Sequence, residues 1–271
     1  HFPTELLDQP VEAGTGSPDD PEGTVIVGAS DDGVNQIVIT KTVAGTGEEK
    51  VTYYVADLRL QDIKELKTCF AEDIYGENVY ERTSDMAKRC QAVFAVNGDC
   101  YGWRSDGIVI RNGELFRDEP ARSGFAAYKD GHMECYEETS ASGQDLADNH
   151  VWTTFTFGPA LVKEGALPEA LDRSHKYAVD IQSISRRNPR TAVGMISEGH
   201  YVFVVVDGRQ AGYSRGMYLD ELAELMQGLG CREAYNLDGG ASVTMYFKGE
   251  VVNHSSYHSG DRPVTDCIFV N

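Results

Sequence analysis

"YVFVVVDGRQAGYSRGMYLDELAELMQGLGCREAYNLDGG", residues 201–240, holds two apolar runs separated by an amphipathic segment. The first run stops at Asp207-Gly208-Arg209, and the second, "EAYNL", stops at Asp238-Gly239-Gly240. Between them "MYLDELAELMQGLG" has helical spacing and a glycine stop at Gly228 or Gly230. Strand, helix, strand over about 25 connecting residues is the pattern of a βαβ unit, whose strands run parallel. Adjacent strands of that kind bring Asp207 and Asp238 to one carboxyl edge of the sheet, where ligands gather. The expected fold is α/β (α+β), with mixed β-sheets, flanking helices and this one βαβ unit near the C-terminus.

The second stop raises its own question. In "AYNLDGGASVTMYF" (234–247) a plain hairpin needs Asp-Gly and no more. Gly240, Ala241, Ser242 and Thr244 leave bare backbone beside the Asp238 carboxylate. Such a stretch is either a turn or the floor of a binding site.

Outward from this unit the chain reads as β-rich. "NQIVITKTV" (35–43) and "KVTYYVADLRL" (50–60) form a hairpin through "AGTGEE". Two more hairpins turn at Asn112-Gly113 and Asp130-Gly131, and "RTAVGMI" (190–196) pairs with "HYVFVVVDG" (200–208) through "SEG". "TTFTFGPALVKEG" (153–165) is a strand, a Gly-Pro break and a short strand, and 170–188 is a polar stretch. "DIKELKTCFA" (62–71) and "SDMAKRC" (84–90) have helical spacing, the second with Ser84 as N-cap. "QAVFAV" (91–96) is a buried strand that halts at Asn97-Gly98-Asp99. The order helix, strand, polar-Gly recurs faintly around Asn97 and around Asp238. A duplication would place the two loops side by side.

The 271 residues carry 43 Asp+Glu against 24 Lys+Arg, a formal net charge of −19. A field of that sign repels nucleic acid, and any anionic substrate must be held by clustered arginines. No apolar run approaches the roughly 20 residues that span a bilayer, so no direct membrane insertion of this segment is expected. The chain starts at His1 without Met, as a mature or truncated product would. Residues 1–24, rich in Pro, Gly and acid, read as a flexible acidic tether or arm, and 25–271 as the folded domain. Such a tether suits a secreted or cell-surface protein. The six cysteines lack zinc spacing and allow one or two disulfides, one of them in the Cys69 and Cys90 region. The seven histidines show no metal spacing.

Several polar residues stand where chemistry is plausible. Arg190 in "NPRT" is either part of a solvated basic loop or a carboxylate or phosphate clamp, since its planar fork suits either anion. Arg209 pairs with Asp207 or with an outside anion; Ser214 caps the helix or donates to a ligand. "NGDCYGWRSDG" (97–107) gathers Asn97, Asp99, Tyr101, Trp103 and Arg104, aromatic and polar groups that suit sugar faces, or else a satellite core. Arg262 in "DRPV" is a candidate ion-pair partner for a site carboxylate.

Taken in order, "AVNGDCYGWRSDGIVIRNG", "FTFGPALVKEG", "NPRTAVGM", "VFVVVDGR", "MYLDELAELMQGLGCREAYNLDGGASVTM" and "DRPVTDCIFV" resemble the phosphodiester glycosidase family over roughly residues 50–271. The resemblance implies hydrolysis of a glycosyl-1-phosphodiester, with release of the sugar and a phosphomonoester left behind. Its motifs fall on Asn97, Gly98 and Asp99, on Arg190, on Asp207, Gly208 and Arg209, and on Asn236, Asp238, Gly239, Gly240, Ser242 and Thr244. The chain departs at Ala241, where relatives often carry glycine or serine. Asp238, Asp207, Arg190 and Asp99 are the expected catalytic set, and the glycines the expected cradle for a phosphate or sugar oxygen.

The partner expected is a glycan or sugar-phosphate substrate. No cofactor is required, but a metal-assisted route would use Asp99, Asp207 and Asp238 as ligands for Ca²⁺ or Mg²⁺. The competing class is a non-catalytic module that binds phosphorylated cell-wall or exopolysaccharide glycans. A third reading is an ordinary glycosidase acting on neutral sugars.

Overall fold

The computed structural model describes residues 17, 19–171 and 184–271, so most of the expected arm and the middle of the 170–188 stretch lie outside the described residues. Of the arm, Asp20 is docked: its carboxylate pairs with Lys41 at 2.7 Å and its carbonyl accepts from Lys50 at 2.8 Å.

Seven strands form the main sheet, in the order β1 (Gly23–Asp31), β2 (Gln36–Ala44), β3 (Val51–Arg59), β14 (His200–Val206), β13 (Arg190–Ser197), β15 (Glu233–Asn236) and β12 (Ala160–Val162). A second sheet has five, in the order β17 (Glu250–Val251), β16 (Met245–Phe247), β6 (Phe94–Asn97), β19 (Asp266–Val270) and β4 (Lys67–Phe70). A third joins β10 (Met133–Glu137), β9 (Ser123–Tyr128) and β11 (Val151–Phe155). Two ribbons complete the set, β18 (Pro263–Val264) with β5 (Glu81–Arg82) and β7 (Gly107–Arg111) with β8 (Glu114–Glu119). The described helices are α1 (Thr83–Arg89), α2 (Gly143–Asp148) and α3 (Leu219–Gly228), with several 3-10 turns.

The expected hairpins form, but the βαβ unit takes a different shape. β14 and β15 are not neighbours; β13 lies between them, antiparallel to each. Two strands antiparallel to a shared neighbour point the same way, so β14 and β15 still end on one edge. All pairings of the main sheet are antiparallel. The reason lies in β14 itself. Tyr201, Phe203 and Val205 face the central core, while Val202, Val204 and Val206 pack under Leu219, Leu222, Ala223 and Met226 of α3. Each large side chain so buried contributes roughly 1.5–3 kcal/mol. An unbroken apolar run therefore reports cover on both faces, not strand direction.

Two other local readings change. "DIKELKTCFA" forms a 3-10 turn (Ile63–Glu65) and then β4, because Leu66, Thr68 and Cys69 are needed on the sheet. Ser84 lies inside α1, which starts at Thr83. Its N–H and hydroxyl both donate to the Asp261 carboxylate, at 2.8 and 3.1 Å, so the helix start is capped from a distant loop. All six cysteines are free thiols here.

One side chain ties the two large sheets together. Asn97, at the end of β6 and 0 % exposed, donates to the Asp238 carbonyl (2.8 Å). Its Oδ1 accepts from the Thr191 hydroxyl (2.8 Å) and from Thr244 N–H (3.1 Å). Removing it strands several buried groups at once. Asn97→Ala is expected to destabilise the fold by roughly 2–4 kcal/mol, measured by chemical denaturation. A loss within 0.5 kcal/mol, the range of an ordinary surface change, would remove Asn97 from this role.

Candidate active site

The loops that follow β6, β14 and β15 converge on the segment leading into β13. Leu237 N–H donates to Thr191 O (2.8 Å), Asp238 N–H to Gly98 O (3.3 Å) and Gly240 N–H to Pro189 O (2.9 Å). This crowding explains the glycines. A Cβ on Gly239 would stand 2.8 Å from Pro189 O, and Gly240 has a left-handed φ of 64°. Their N–H groups are also committed, Gly240 to Pro189 and Gly239 to the Asp238 carboxylate itself. The expected backbone cradle for an outside anion is therefore not what the glycines build. They let three chain segments touch.

Asp238 is half-buried in this junction. Burial pushes its carboxyl above the ordinary range. The Ser242 hydroxyl, Arg262, the Gly239 N–H and Arg104 pull in the opposite direction. Two guanidinium groups thus attract its charge. A third, that of Arg209, lies against Gly240, its Nη2 3.2 Å from where a Cβ would be. Arg209 is held by Nε donation to Asn188 Oδ1 (2.9 Å), its one hydrogen-bond partner among the described residues. Arg104 stacks over Phe157 at 5.2 Å and keeps a buried Nη1 without a partner among the described residues. Arg262 stacks over Trp103 at 4.8 Å, and that indole is 46% exposed, open to a ligand.

The other expected catalytic groups lie elsewhere in the frame. Asp99 is buried; one oxygen accepts from Arg111 (2.8 Å) and Tyr101 N–H (3.2 Å), the other from Thr156 N–H (2.8 Å). Asp207 is also buried. Its carboxylate accepts from Tyr213 OH (2.7 Å), Asn253 Nδ2 and His254 N–H (both 2.9 Å). Burial pushes it up to about 6, against those three donors. Arg190 points its fork into its own chain, donating to the carbonyls of Met217, Arg186 and Ile184. It anchors a loop where an anion clamp was expected.

The expected binding residues divide in the same way. Ser214 donates to Asp207 O and accepts from Thr52 N–H, so it neither caps α3 nor faces a ligand. Tyr101 is satellite core, stacked on Tyr75 at 5.1 Å. Asn236 holds Gly158 O at 2.8 Å, and Thr244 bonds Ser242 O at 3.1 Å. Gly98 is glycine because a Cβ there would lie 2.1 Å from an Asp266 oxygen. Asp99, Asp207 and Asp238 are not gathered for a metal. Among the described residues no group of three His, Cys, Asp or Glu is placed to hold one.

Two residues of the floor escaped the sequence reading. Arg111, fully buried, bridges Asp99 and Asp266, with Nη2 at 2.8 and 3.0 Å. Asp266 Oδ1 is buried without a partner among the described residues. Each is a lone charge in an apolar strand run, "GIVIRNG" and "VTDCIFV", and their opposite signs were the available signal. Cys100 sits above this floor. Burial first, then Asp238 and Asp99, pushes its thiol far up, so it stays protonated.

The family model described as phosphodiester glycosidase matches residues 90–271. The chain belongs to the phosphodiester glycosidase family. This family member is 30% identical over 206 residues to the SPbeta prophage-derived uncharacterized protein YomE of Bacillus subtilis (strain 168), covering 73% of this chain and 30% of that protein. Over 73 residues it is 38% identical to N-acetylglucosamine-1-phosphodiester alpha-N-acetylglucosaminidase of Mus musculus, 27% of this chain and 14% of that one. The chain thus spans less than a third of the length of these relatives. The catalytic domain of the zebrafish enzyme of that name, auto-inhibited by its pro-peptide, has the same fold: TM-score 0.70 and 19% identity over 96% of this chain and 87% of that one. A hypothetical protein from Synechocystis follows at TM-score 0.62, 13% identity, 93% and 64% coverage.

In the family member's floor, two carboxylates share one guanidinium. Burial pushes Asp266 up to about 7; Arg111 opposes this and Asp99 adds to it. A carboxyl raised from 3.8 in this way stabilises the fold at low pH and loses that contribution as pH climbs through about 7. Thermal melts from pH 5 to 8 are expected to show Asp266→Asn gaining on the parent across that interval. Parallel profiles would contradict a proton held there.

Proposed function

We propose that the chain hydrolyses glycosyl-1-phosphodiesters, releasing the sugar and leaving a phosphomonoester. The observation that carries this reading is one half-buried carboxylate, Asp238, with Arg104, Arg209 and Arg262 around it in a chain of net charge −19. Family membership supports it. A neutral-sugar glycosidase has no use for three guanidinium groups around its catalytic carboxylate.

In the mechanism we infer, Asp238 faces the anomeric carbon and stabilises the positive charge that develops there. The three arginines bind the phosphate and favour its departure, since a phosphate leaving group needs little protonation. Trp103 offers an apolar face beside Arg262 for the sugar or its partner group. Asn97, Gly98, Asn236, Gly239, Gly240, Ser242 and Thr244 shape the floor. Asp99, Asp207 and Arg190 act as positioning residues from below it. The setting we infer is outside the cell, on a glycan bearing sugar-1-phosphate links.

The test is a panel of sugar-1-phosphodiesters assayed for released sugar. Asp238→Asn is expected to lower kcat by about 10²–10⁴-fold while KM stays near that of the parent. Arg209→Ala, which removes a charge-assisted donor, is expected to raise KM roughly tenfold or more. In heavy-oxygen water the label should enter the sugar, as C–O cleavage requires. Label in the phosphate would move the attack to phosphorus. Binding of the panel without any turnover would leave the glycan-binding module as the function.

A further inference from the structure

Away from the proposed pocket, three thiols meet where β4, β19 and the end of α1 come together. Cys69 on β4 stands directly across from Cys267 on β19 in the antiparallel register. Cys90, which follows the last turn of α1, brings its Sγ to 2.9 Å from Cys69 Sγ. That separation is well inside contact for two sulfurs that share no bond. The pair is reached through a cleft of about 300 Å³ lined by Cys69, Cys90, Asp73 and Phe116. Cys267 is 0 % exposed beneath them.

We propose that Cys69 and Cys90 are a modification site, joined as a disulfide by thiol–disulfide exchange with an external disulfide. The chemistry balances without a metal or cofactor. The Cys69 thiolate attacks one sulfur of the external disulfide and expels the other as a thiolate. The second protein thiolate then attacks the mixed disulfide, forms the Cys69–Cys90 bond and expels the remaining thiolate. Two electrons leave the protein pair, its two protons pass to the departing thiolates, and the external disulfide becomes two thiols.

The local charges favour the first step. Thiol donors from Cys267 and Cys90, with Arg89 close by, hold Cys69 below the ordinary thiol range. Cys90, the partly exposed member, offers the way in from solvent.

The bond has a structural consequence that reaches the pocket. At its start, α1 holds Asp261 through Ser84, and Asp261 precedes Arg262. At its end, the bond would lock α1 to β4, whose neighbour β19 carries Asp266. One covalent link thus braces the helix between the arginine loop and the buried acid. The inference does not depend on the proposed activity, because pairing and melting are read without substrate.

The experiment equilibrates the full chain in a glutathione buffer of oxidising poise, alkylates the remaining thiols and maps peptides without reduction. The expected product has a Cys69–Cys90 cross-link, with Cys100, Cys135, Cys231 and Cys267 alkylated. The oxidised protein should melt about 5–10 °C above the reduced one, as closing a loop of this length implies. Cys90→Ser should lose that shift and Cys267→Ser should keep it. Six alkylated cysteines, or a cross-link through Cys267, would overturn the proposal even if both variants misfold.

Discussion

The site depends on a single buried amide. Asn97 belongs to the five-stranded sheet, yet its four side-chain hydrogen bonds reach Gly98, Asp238, Thr191 and Thr244. Two of those partners lie on the main sheet or its loop and the others lead to strands of the second sheet. An amide is suited to this task because one end donates and the other accepts. The position of Asp238 is thereby set by the packing of two sheets rather than by the stiffness of its own loop. The central core, in which Phe94 and Val96 of β6 meet Phe203 and Val205 of β14, holds the two ends of that clamp in register.

Buried acids form the next layer. Asp99, Asp207 and Asp266 are each removed from water, and a buried carboxylate is tolerated only with donors or a proton. Asp99 has donors on both oxygens, Asp207 has three, and Asp266 has Arg111 on one oxygen only. Burial, with one oxygen unpartnered among the described residues, pushes Asp266 up to about 7. A proton held on Asp266 also keeps negative charge from accumulating in the floor beneath Asp238.

Much of this was legible in the sequence and some was not. The hairpins at Asn112-Gly113 and Asp130-Gly131 were readable because turn chemistry is local. The meeting of the Asn97 and Asp238 loops agrees with the faint recurrence of helix, strand and polar-Gly, which as a duplication would place them side by side. Side-chain direction was not. Asp207 and Asp238 both follow a strand end, but Asp207 turns into the hairpin that carries Asn253, a contact 46 residues away. Arg190 stands at a strand mouth, as read, and bends back to the carbonyls of Met217 and Arg186, the first of which also accepts from Asn188 N–H. The insertion of β13 between β14 and β15 left no periodic trace, since cover by α3 and by the core looks the same for either neighbour.

The three arginines show how an acidic protein can still gather cations around one acid. Arg104, Arg209 and Arg262 come from three separate loops, so no stretch of sequence looks basic there. Each is held by something other than a carboxylate: a phenyl ring, an asparagine oxygen and an indole. A guanidinium stacked on a ring keeps its N–H edges available, whereas one paired with Asp or Glu does not. At physiological ionic strength the surface charge is screened beyond about 8 Å. Within that range the nearest groups decide, and here they are cations with unengaged donors around one acid. The net charge therefore sets the field far from the protein, and the three arginines set the charge met at close range around Asp238.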